Sequence, residues 1–547
     1  MQNALLLLLI VVWTGGTLLR IYKQARFYQI EEYMNVRYLR WWLAKRERWV
    51  PNRPFWVTFV GCVLAFFLSE SPGSILPVII GIVATLVAVY PPDEGEIKKA
   101  FRRTERATRL LVTSSLVAII VFVILTTLIS NLKFDDIELN VVALMLVGLI
   151  GFLGAPLWLI AGNILMTPVE GFLRQRFINS ARRVMANTQP TVIGITGSYG
   201  KTTTKNFITD ILNGRYRAYA TPKSYNTMMG VCIAINNDLA TNYSVDYFVV
   251  EMGAYIRGEI ERISELTPPA ISVVVEVGPQ HLERFGSLEN IALAKYEIIK
   301  ALPPDGLGVF NWDNPYVREM YERGYPDNRL AVSRIADPKN APVNGPRFIA
   351  TDITETLDGL SFTIHDTQNG EQETFRTAVI GEHNVTNILL AVAVAHHEGI
   401  NLKDIAFQVR MLKPAESRLV RQTTAQGITI INDAYSANPA GIVSALKVLS
   451  MHTGGKRLLI TPGMVELGEL HETENRKLGQ IAANHATDII LVGEDQTRPI
   501  KAGLQDAHFP EASVQIVDTL GEAVTWYESH LKSGDTVLFL NDLPDTY

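Results

Sequence analysis

The stretch Ile195-Thr196-Gly197-Ser198-Tyr199-Gly200-Lys201-Thr202-Thr203 joins an apolar run to a helix-forming one through a glycine-rich turn. Backbone N–H groups over Gly197, Ser198, Gly200 and Thr203 of such a turn can cradle phosphate oxygens. The Lys201 ammonium can reach the terminal phosphates, and the Thr202 hydroxyl can ligate Mg2+. The pattern departs from the common phosphate-loop form, because Ile195 stands where its first glycine would be. A plain strand–turn–helix is the competing reading, and the Gly-Lys-Thr-Thr core argues against it. The chemistry implied is that of a nucleotide, with nothing yet about the reaction. Downstream, Glu251-Met252-Gly253 ends one apolar run and Gly278-Pro279-Gln280-His281 follows another. A carboxylate and an imidazole at strand ends near a phosphate loop suit a divalent cation, so Glu251 and His281 join Thr202 as candidate metal contacts. Each alone is as readily a capping or surface residue.

Those residues need a scaffold that brings strand ends together. From Thr191 onward, short Val/Ile-rich runs (TVIGIT, YFVVEMG, ISVVVEVG, GLGVFN) alternate with helical segments, as buried parallel strands with crossover helices do. A second set (ITIINDA, RLLITPG, DIILVG, TVLFL) follows from about residue 420. Two doubly wound α/β domains are expected, over 191–417 and 418–547, with the boundary near Pro414–Arg421. The stretch 333–378 reads as a small β insertion. Two cysteines, Cys62 and Cys232, exclude a disulfide framework and a Cys-rich metal site, and each reads as a small buried hydrophobe.

The front of the chain is of another kind. Of 547 residues 48% are hydrophobic and 19% charged, which excludes a disordered chain. The mean hydropathy of +0.13 argues against a purely soluble enzyme. Residues 1–190 carry 20 Lys and Arg against 12 Asp and Glu, whereas the remainder carries 30 against 43. Apolar stretches near 3–19, 55–70, 73–91, 110–131 and 141–165 are each long enough to cross a hydrocarbon core of ~30 Å. The first lacks a basic leader and a cleavage site and reads as an uncleaved anchor. The second and third could form a hairpin turned at Ser71-Pro72-Gly73, or the second could be re-entrant. Nine Lys and Arg lie in 20–54 and six in 92–109, while 132–140 holds one Lys and three acids. By the positive-inside rule the N-terminus lies outside, five spans cross, and residues 166–547 lie inside, beginning with a basic linker over 166–190. The bacterial inner membrane, with the catalytic domains cytoplasmic, is the expected location. The lipid bilayer is an expected partner; nucleic acid is not.

The ordered motifs resemble the Mur ligases, ATP-dependent amide-forming enzymes of cell-wall peptide synthesis. GSYGKTT resembles their ATP loop, Thr221-Pro222-Lys223-Ser224-Tyr225-Asn226-Thr227 their Thr-Pro…Asn segment, and Glu251-Met252-Gly253 their metal-binding Glu motif. Gly278 to Ser287 resembles the His motif, Ala294-Lys295-Tyr296-Glu297 the Ala-Lys-x-Glu motif, and Gly381-Glu382-His383-Asn384-Val385-Thr386-Asn387 the adenine motif. The resemblance covers roughly 190–540. It implies a central ATP-binding domain with a mostly parallel sheet, a Rossmann-like C-terminal domain, ATP, and two Mg2+ ions held with Thr202, Glu251, His281 and a carbamylated Lys295. It further implies that Asn384 and Asn387 hold adenine, that Asp433 bonds the ribose, and that Arg418 reaches the phosphates across the domain gap. Lys201, Lys295, His281 and Arg418 would be the catalytic set, and Asn226, Tyr435 and Asn438 would contact substrate.

Asn432 to Pro439 and Gly463 to Glu469 with His471 are most like the branch that adds D-alanyl-D-alanine to a muramoyl tripeptide. Ser436 departs from that branch's Asp-x-Tyr-Asn-Ala-Asn-Pro, and Pro462-Gly463-Met464 stands where it has Gly-Asp-Met. Leu540-Asn541-Asp542 stands where it tends toward Lys-Gly-Ser, which leaves the amine, an amino acid or a dipeptide, open. Family members begin with a domain that grips a UDP-sugar, and here apolar spans occupy that place. The acceptor is therefore expected to be a cell-wall precursor, small or lipid-linked, met at the membrane's inner face. Competing readings are a membrane-bound poly-amino-acid synthetase, an ATP-binding transporter or regulator, and a catalytically retired scaffold.

Overall fold

The computed structural model describes residues 2–68, 74–91, 100–131, 137–242, 244–415, 418–434, 438–465 and 467–541. The turn at Ser71-Pro72-Gly73 and the substrate candidate Tyr435 lie outside the described residues. The chain divides into two compact units, Met1–Arg176 and Phe177–Pro544.

The first unit is helical: α1 (Gln2–Ile30), α2 (Asn35–Leu43), α3 (Arg46–Trp49), α4 (Asn52–Phe67), α5 (Leu76–Val89), α6 (Glu105–Asn131), α7 (Ile137–Leu153) and the start of α8 (Ala155–Thr188), whose residues from Phe177 on belong to the second unit. Among the described residues three stretches, Asn3–Ile30, Glu105–Ile129 and Ala155–Thr188, are long and apolar enough, by length and composition, to cross a membrane. The expected second, third and fifth spans are shorter, because α4, α5 and α7 have 16, 14 and 17 residues. The stretch 141–165 is not one helix: the chain breaks at Gly154, and α8 begins at Ala155. The indole of Trp158 donates to the Gly151 carbonyl at 2.9 Å and so caps an oxygen that the break leaves without a helical partner. Gly151 lies against Phe122, Gly162 against Ser114, and Glu170 pairs with Arg109 at 2.7 Å. Residue numbers rise along α7–α8 as they fall along α6, so α7 and α8 together form one broken path antiparallel to α6. The residues read as a basic linker are the continuous end of α8. Cys62 is only half-buried; Cys232 is fully buried.

Among the described residues of the second unit nine strands form one sheet: β1 (Thr191–Thr196), β2 (Ala218–Ala220), β3 (Tyr247–Glu251), β4 (Ile271–Val274), β5 (Leu307–Asn311), β6 (Arg329–Ser333), β7 (Phe348–Thr356), β8 (Gly359–Asp366) and β9 (Gln372–Thr377), in the order β2-β3-β1-β4-β5-β6-β7-β8-β9. The first six pair in parallel. Their runs are apolar throughout because both faces are covered. Ile193, Ile195 and Val249 enter one core, and Val192, Phe248 and Val250 the other. The stretch read as an insertion is not separate: β7 pairs with β6 through Val332↔Phe348, and β8 and β9 extend the same sheet antiparallel.

Six more strands, β10 (Val420–Thr423), β11 (Thr429–Asp433), β12 (Arg457–Thr461), β13 (Asp488–Val492), β14 (Val514–Val517) and β15 (Thr536–Leu540), form a second sheet in the order β10-β11-β15-β12-β13-β14. All pairs are parallel except the β10 edge.

In the helical unit, a Cβ built on Gly148 would lie 2.3 Å from the Trp13 ring, whereas one on Gly171 meets nothing within 4 Å. Gly148→Ala should therefore overpack α1 against α7 at a cost of about 1–3 kcal/mol. We expect a lowered melting midpoint for the full-length protein in detergent, and no lowering for Gly171→Ala.

Candidate active site

After β1 the chain crosses to β2 and β3 on one side and later to β4 on the other, so strand order reverses at β1. The crevice at the carboxyl ends of strands at such a point is where open α/β sheets bind ligands. The loop 197–200 sits there and runs into α9 (Lys201–Leu212). Gly200 has φ +76°, and a Cβ on it would lie 2.6 Å from Asn387 Oδ1 and 2.8 Å from Val275 Cγ1. Both the left-handed turn and the close approach require glycine.

The parallel register sets Ile195 opposite Glu251. Glu251 thereby meets the first turn of α9, and the Thr202 hydroxyl donates to its Oε2 at 2.8 Å. Asn226 donates to Oε1 at 3.1 Å. Lys205 Nζ stands 3.9 Å from Oε2 and donates to the Thr221 carbonyl at 2.6 Å. Lys201 curls back, and its Nζ donates to the carbonyls of Gly197 and Ser198 at 2.7 and 3.0 Å. Burial, with a smaller push from Arg418 and against the pull of Glu251, lowers the Lys201 ammonium to about 8. Lys295, on the helix Leu288–Lys300, is only 3% exposed. Burial and then the Lys201 charge bring it to about 7, although Glu297, Glu259 and Glu251 oppose the shift.

The remaining candidates have other engagements. The Ser198 N–H donates to the Glu276 carbonyl at 2.6 Å, and its hydroxyl exchanges hydrogen bonds with Gly278, so Ser198 ties the loop to the chain beyond β4. His281, with φ +57°, precedes the short helix Leu282–Phe285, and its ring centroid is 4.5 Å from that of Tyr255. Among the described residues no group of three or more His, Cys, Asp or Glu is placed to hold a metal ion. The hard oxygen donors Thr202 and Glu251 suit Mg2+, and the structure brings these two into contact.

A cavity of about 340 Å3 opens beside the loop, lined among others by Gly200, Thr203, His383, Asn384, Asn387, Arg418, Asp433 and Asn438. The amides of Asn384 and Asn387 are set by one another: Asn387 Nδ2 donates to Asn384 Oδ1 at 2.9 Å, and Asn384 Nδ2 to the Ile380 carbonyl at 2.8 Å. The Thr204 hydroxyl donates to Asn387 Oδ1 at 3.2 Å, which ties this pair to α9. Burial lifts the Asp433 carboxyl to about 6, although Arg418 and the Leu419 N–H hold it lower than burial alone would. Asn438 caps the helix Pro439–Ser450, its Oδ1 accepting from the Gly441 N–H at 2.9 Å. A second cavity of about 360 Å3 is lined by Thr202, Lys205, Thr221 and Lys223, and Arg418 borders both.

Three residues of the site were not singled out from sequence. Lys205 had a signal, because it lies one helical turn beyond Lys201 on the same face. Glu276, whose carboxyl is raised by burial, follows β4 without a motif of its own. Arg334, paired with Glu382 at 2.8 Å, lay at the head of the stretch read as an insertion.

A phosphate-loop crevice facing a second α/β domain defines a two-domain nucleotide-binding enzyme. Known proteins narrow this further. Residues 195–395 match the Mur ligase middle domain, and residues 417–541 match the Mur ligase, glutamate ligase domain. The UDP-N-acetylmuramoyl-tripeptide--D-alanyl-D-alanine ligase of Bacillus subtilis is 31% identical over 349 residues, covering 64% of this chain and 72% of the relative. That of Mycobacterium leprae is 30% identical over 370 residues, covering 64% and 70%. Among solved structures, MurF from Acinetobacter baumannii superposes with a TM-score of 0.57 at 26% identity, covering 67% of this chain and 77% of that one. The chain belongs to the Mur ligase family, ATP-dependent ligases of peptidoglycan biosynthesis.

Two predictions come from this geometry. Gly200→Ala should strain the turn by about 1 kcal/mol or more and displace Asn387; we expect ATP affinity, measured by calorimetry, to fall at least tenfold with the far-ultraviolet dichroism unchanged. His383 is held at about 4, first by burial and then by Arg334 and Arg418, against an ordinary value of 6.5. The unfolded chain therefore takes up this proton first, and stability falls as pH drops from 6.5 toward 4. Asp433, raised from 3.8 to about 6, acts in the opposite sense between those values. Comparing melting midpoints of His383→Gln and parent across pH 4–7 isolates the histidine, and the variant should lose less stability on acidification.

Proposed function

We propose that the chain joins the amine of a D-alanyl-D-alanine-like dipeptide to the carboxylate of a muramoyl-peptide precursor at the cytoplasmic face of the inner membrane. The observation that carries the reading is the contact of Thr202 with Glu251 beside Lys201, with Arg418 bordering the cavities on either side. The relatives of similar sequence support the choice of acceptor and amine. The large apolar side chains exposed on the first unit, among them Phe59, Phe67, Ile120 and Ile164, support a lipid setting. The basic loops support the orientation.

A carboxylate and an amine do not condense in water at useful rates. In the proposed reaction an acceptor carboxylate oxygen attacks the γ-phosphorus of ATP, the bond to the β-phosphate oxygen breaks, and ADP leaves. The amine nitrogen then attacks the acyl phosphate carbonyl, the carbon–oxygen bond to phosphate breaks, inorganic phosphate departs, and the nitrogen gives up a proton. Lys201 would leave its loop carbonyls for the transferring phosphoryl oxygens, and Arg418 would add a second cation from the far domain. Thr202 and Glu251 would hold Mg2+, which neutralises phosphate charge when bound; His281 and Lys295 are the further proposed holders of a second ion. Lys295, in its Ala-Lys-Tyr-Glu setting and almost wholly buried, is proposed to carry a carbamate, which would turn a cation into an anion able to ligate metal. Asn384 and Asn387 would bound the adenine, and Asp433 the ribose. Asn226 and Asn438 would act on substrate through Glu251 and the capped helix, respectively.

The test is ADP release by full-length protein, with mass spectrometry of the amide formed from cell membranes, ATP·Mg and a panel of amino acids and dipeptides. We expect turnover only with both partners present and a dipeptide-extended product. Lys201→Ala should abolish turnover in a folded protein. Lys295→Ala should lose ligation, and short-chain carboxylates should restore part of it; full activity in either variant contradicts its assignment.

A further inference from the structure

In the second step of the proposed reaction the amine nitrogen bonds to the acyl carbonyl carbon, becomes positively charged, and must shed a proton before the amide forms. That carbon is one bond from the transferred phosphate, so the proton is released beside the loop 197–200. A base for it has to be unspent on other partners and open to the cavity. Among the described residues three carboxylates line the cavity beside the loop: Glu276, Asp313 and Asp433. Asp313 accepts from the Ser333 hydroxyl and, at 2.8 Å, from the Arg334 N–H. Asp433 accepts the Leu419 N–H at 3.1 Å and belongs to the far domain. The Glu276 carboxylate accepts no hydrogen bond among the described residues. Its main chain is pinned to the loop: the Glu276 carbonyl accepts the Ser198 N–H at 2.6 Å, and a Cβ built on Gly197 would lie 3.0 Å from the Glu276 nitrogen. The side chain is partly buried, yet its oxygens stay open to water-sized space, unlike the wholly buried and unpartnered Nδ1 of His383, the one imidazole of the lining. Arg334, itself held by Glu382 at 2.8 Å, and the Tyr199 hydroxyl are the groups whose charge couples to it, and both residues line the same cavity. Burial raises the carboxyl and Arg334 opposes the rise, so Glu276 takes up a proton more readily than an exposed carboxylate does.

We propose that Glu276 is the base of the second step and accepts the proton from the attacking nitrogen as the carbon–oxygen bond to phosphate breaks. The N–H electron pair stays on nitrogen, the proton passes to a Glu276 oxygen, and inorganic phosphate leaves with the electrons of the carbon–oxygen bond. Water takes the proton from Glu276 before the next turnover. This assignment rests on the ligase reading and adds to it a residue that no sequence motif marked.

The test supplies full-length protein with ATP·Mg and the muramoyl tripeptide that the parent turns over, UDP-linked or in cell membranes, and compares D-alanyl-D-alanine with hydroxylamine as the nucleophile. Hydroxylamine also attacks acyl phosphates, but its nitrogen is far less basic and sheds the proton to water without help. We expect Glu276→Gln to lower kcat for the dipeptide about a hundredfold, with hydroxamate formation, KM for ATP and the Mg2+ requirement each within about threefold of the parent. Glu276→Asp, which keeps the carboxylate, should recover part of the dipeptide rate. If Glu276→Gln does not fold, Glu276→Asp decides in its place, through a loss confined to the dipeptide. An unchanged dipeptide rate overturns the proposal. So does an equal loss with hydroxylamine or a raised Mg2+ requirement, either of which puts Glu276 in phosphoryl transfer or metal binding instead. A parent that forms neither amide nor hydroxamate contradicts the ligase reading itself, so the two failures are told apart.

Discussion

The hydrogen bond from the Thr202 hydroxyl to the Glu251 carboxylate ties the first turn of α9 to the end of β3. It can form only because β1 and β3 run in parallel with Ile195 opposite Glu251, so that the loop leaving one strand starts its helix beside the other's last residue. The same carboxylate receives Asn226 and faces Lys205, so the chain following β2 is anchored to it as well. Loosening that pairing would move the helix start, the Thr-Pro…Asn segment and the buried lysine together.

Around this one carboxylate the fold gathers Lys201, Lys205 and Lys295 in surroundings that penalise each charge. Cations packed this way repel one another, and a polyphosphate relieves the repulsion in a way that water cannot. Arg418 belongs to the same arrangement but comes from the far side of the domain boundary. Burial is the larger cause of the lowered Lys201 and His383, and the Arg418 charge adds to it in both. Lys447, which meets Glu355 at 3.2 Å and Glu382 at 2.9 Å, adds a bridge between the two sheets' domains. The Lys447–Glu382 pair is part-exposed and contributes little by itself, whereas the Glu355 side chain is only 2% exposed.

Much of this was legible in the residues. Strands β1, β3, β4 and β5 were readable because an apolar run buried on both faces has no polar alternation to confuse it, and the glycine turn marked its own place. The antiparallel extension β7–β9 was misread as an insertion, since its half-exposed alternation resembles that of an independent hairpin. The break at Gly154 was invisible to hydropathy, which sees one apolar run across it. What the side chains do in the site was less legible. A motif names Ser198 or His281 but cannot say that Ser198 is spent on Gly278, or that His281 turns toward Tyr255. Lys205 and Arg334 were missed because their roles depend on what lies across the crevice rather than along the chain.

The central claim is that phosphate leaves with an oxygen taken from the acceptor. The most direct measurement supplies the acceptor with its carboxylate labelled with oxygen-18, together with ATP·Mg and the dipeptide, and follows the label by mass spectrometry. The account predicts one labelled oxygen in each inorganic phosphate formed and one retained in the new amide carbonyl. Inorganic phosphate free of label, at a rate of amide formation equal to ADP release, would contradict it.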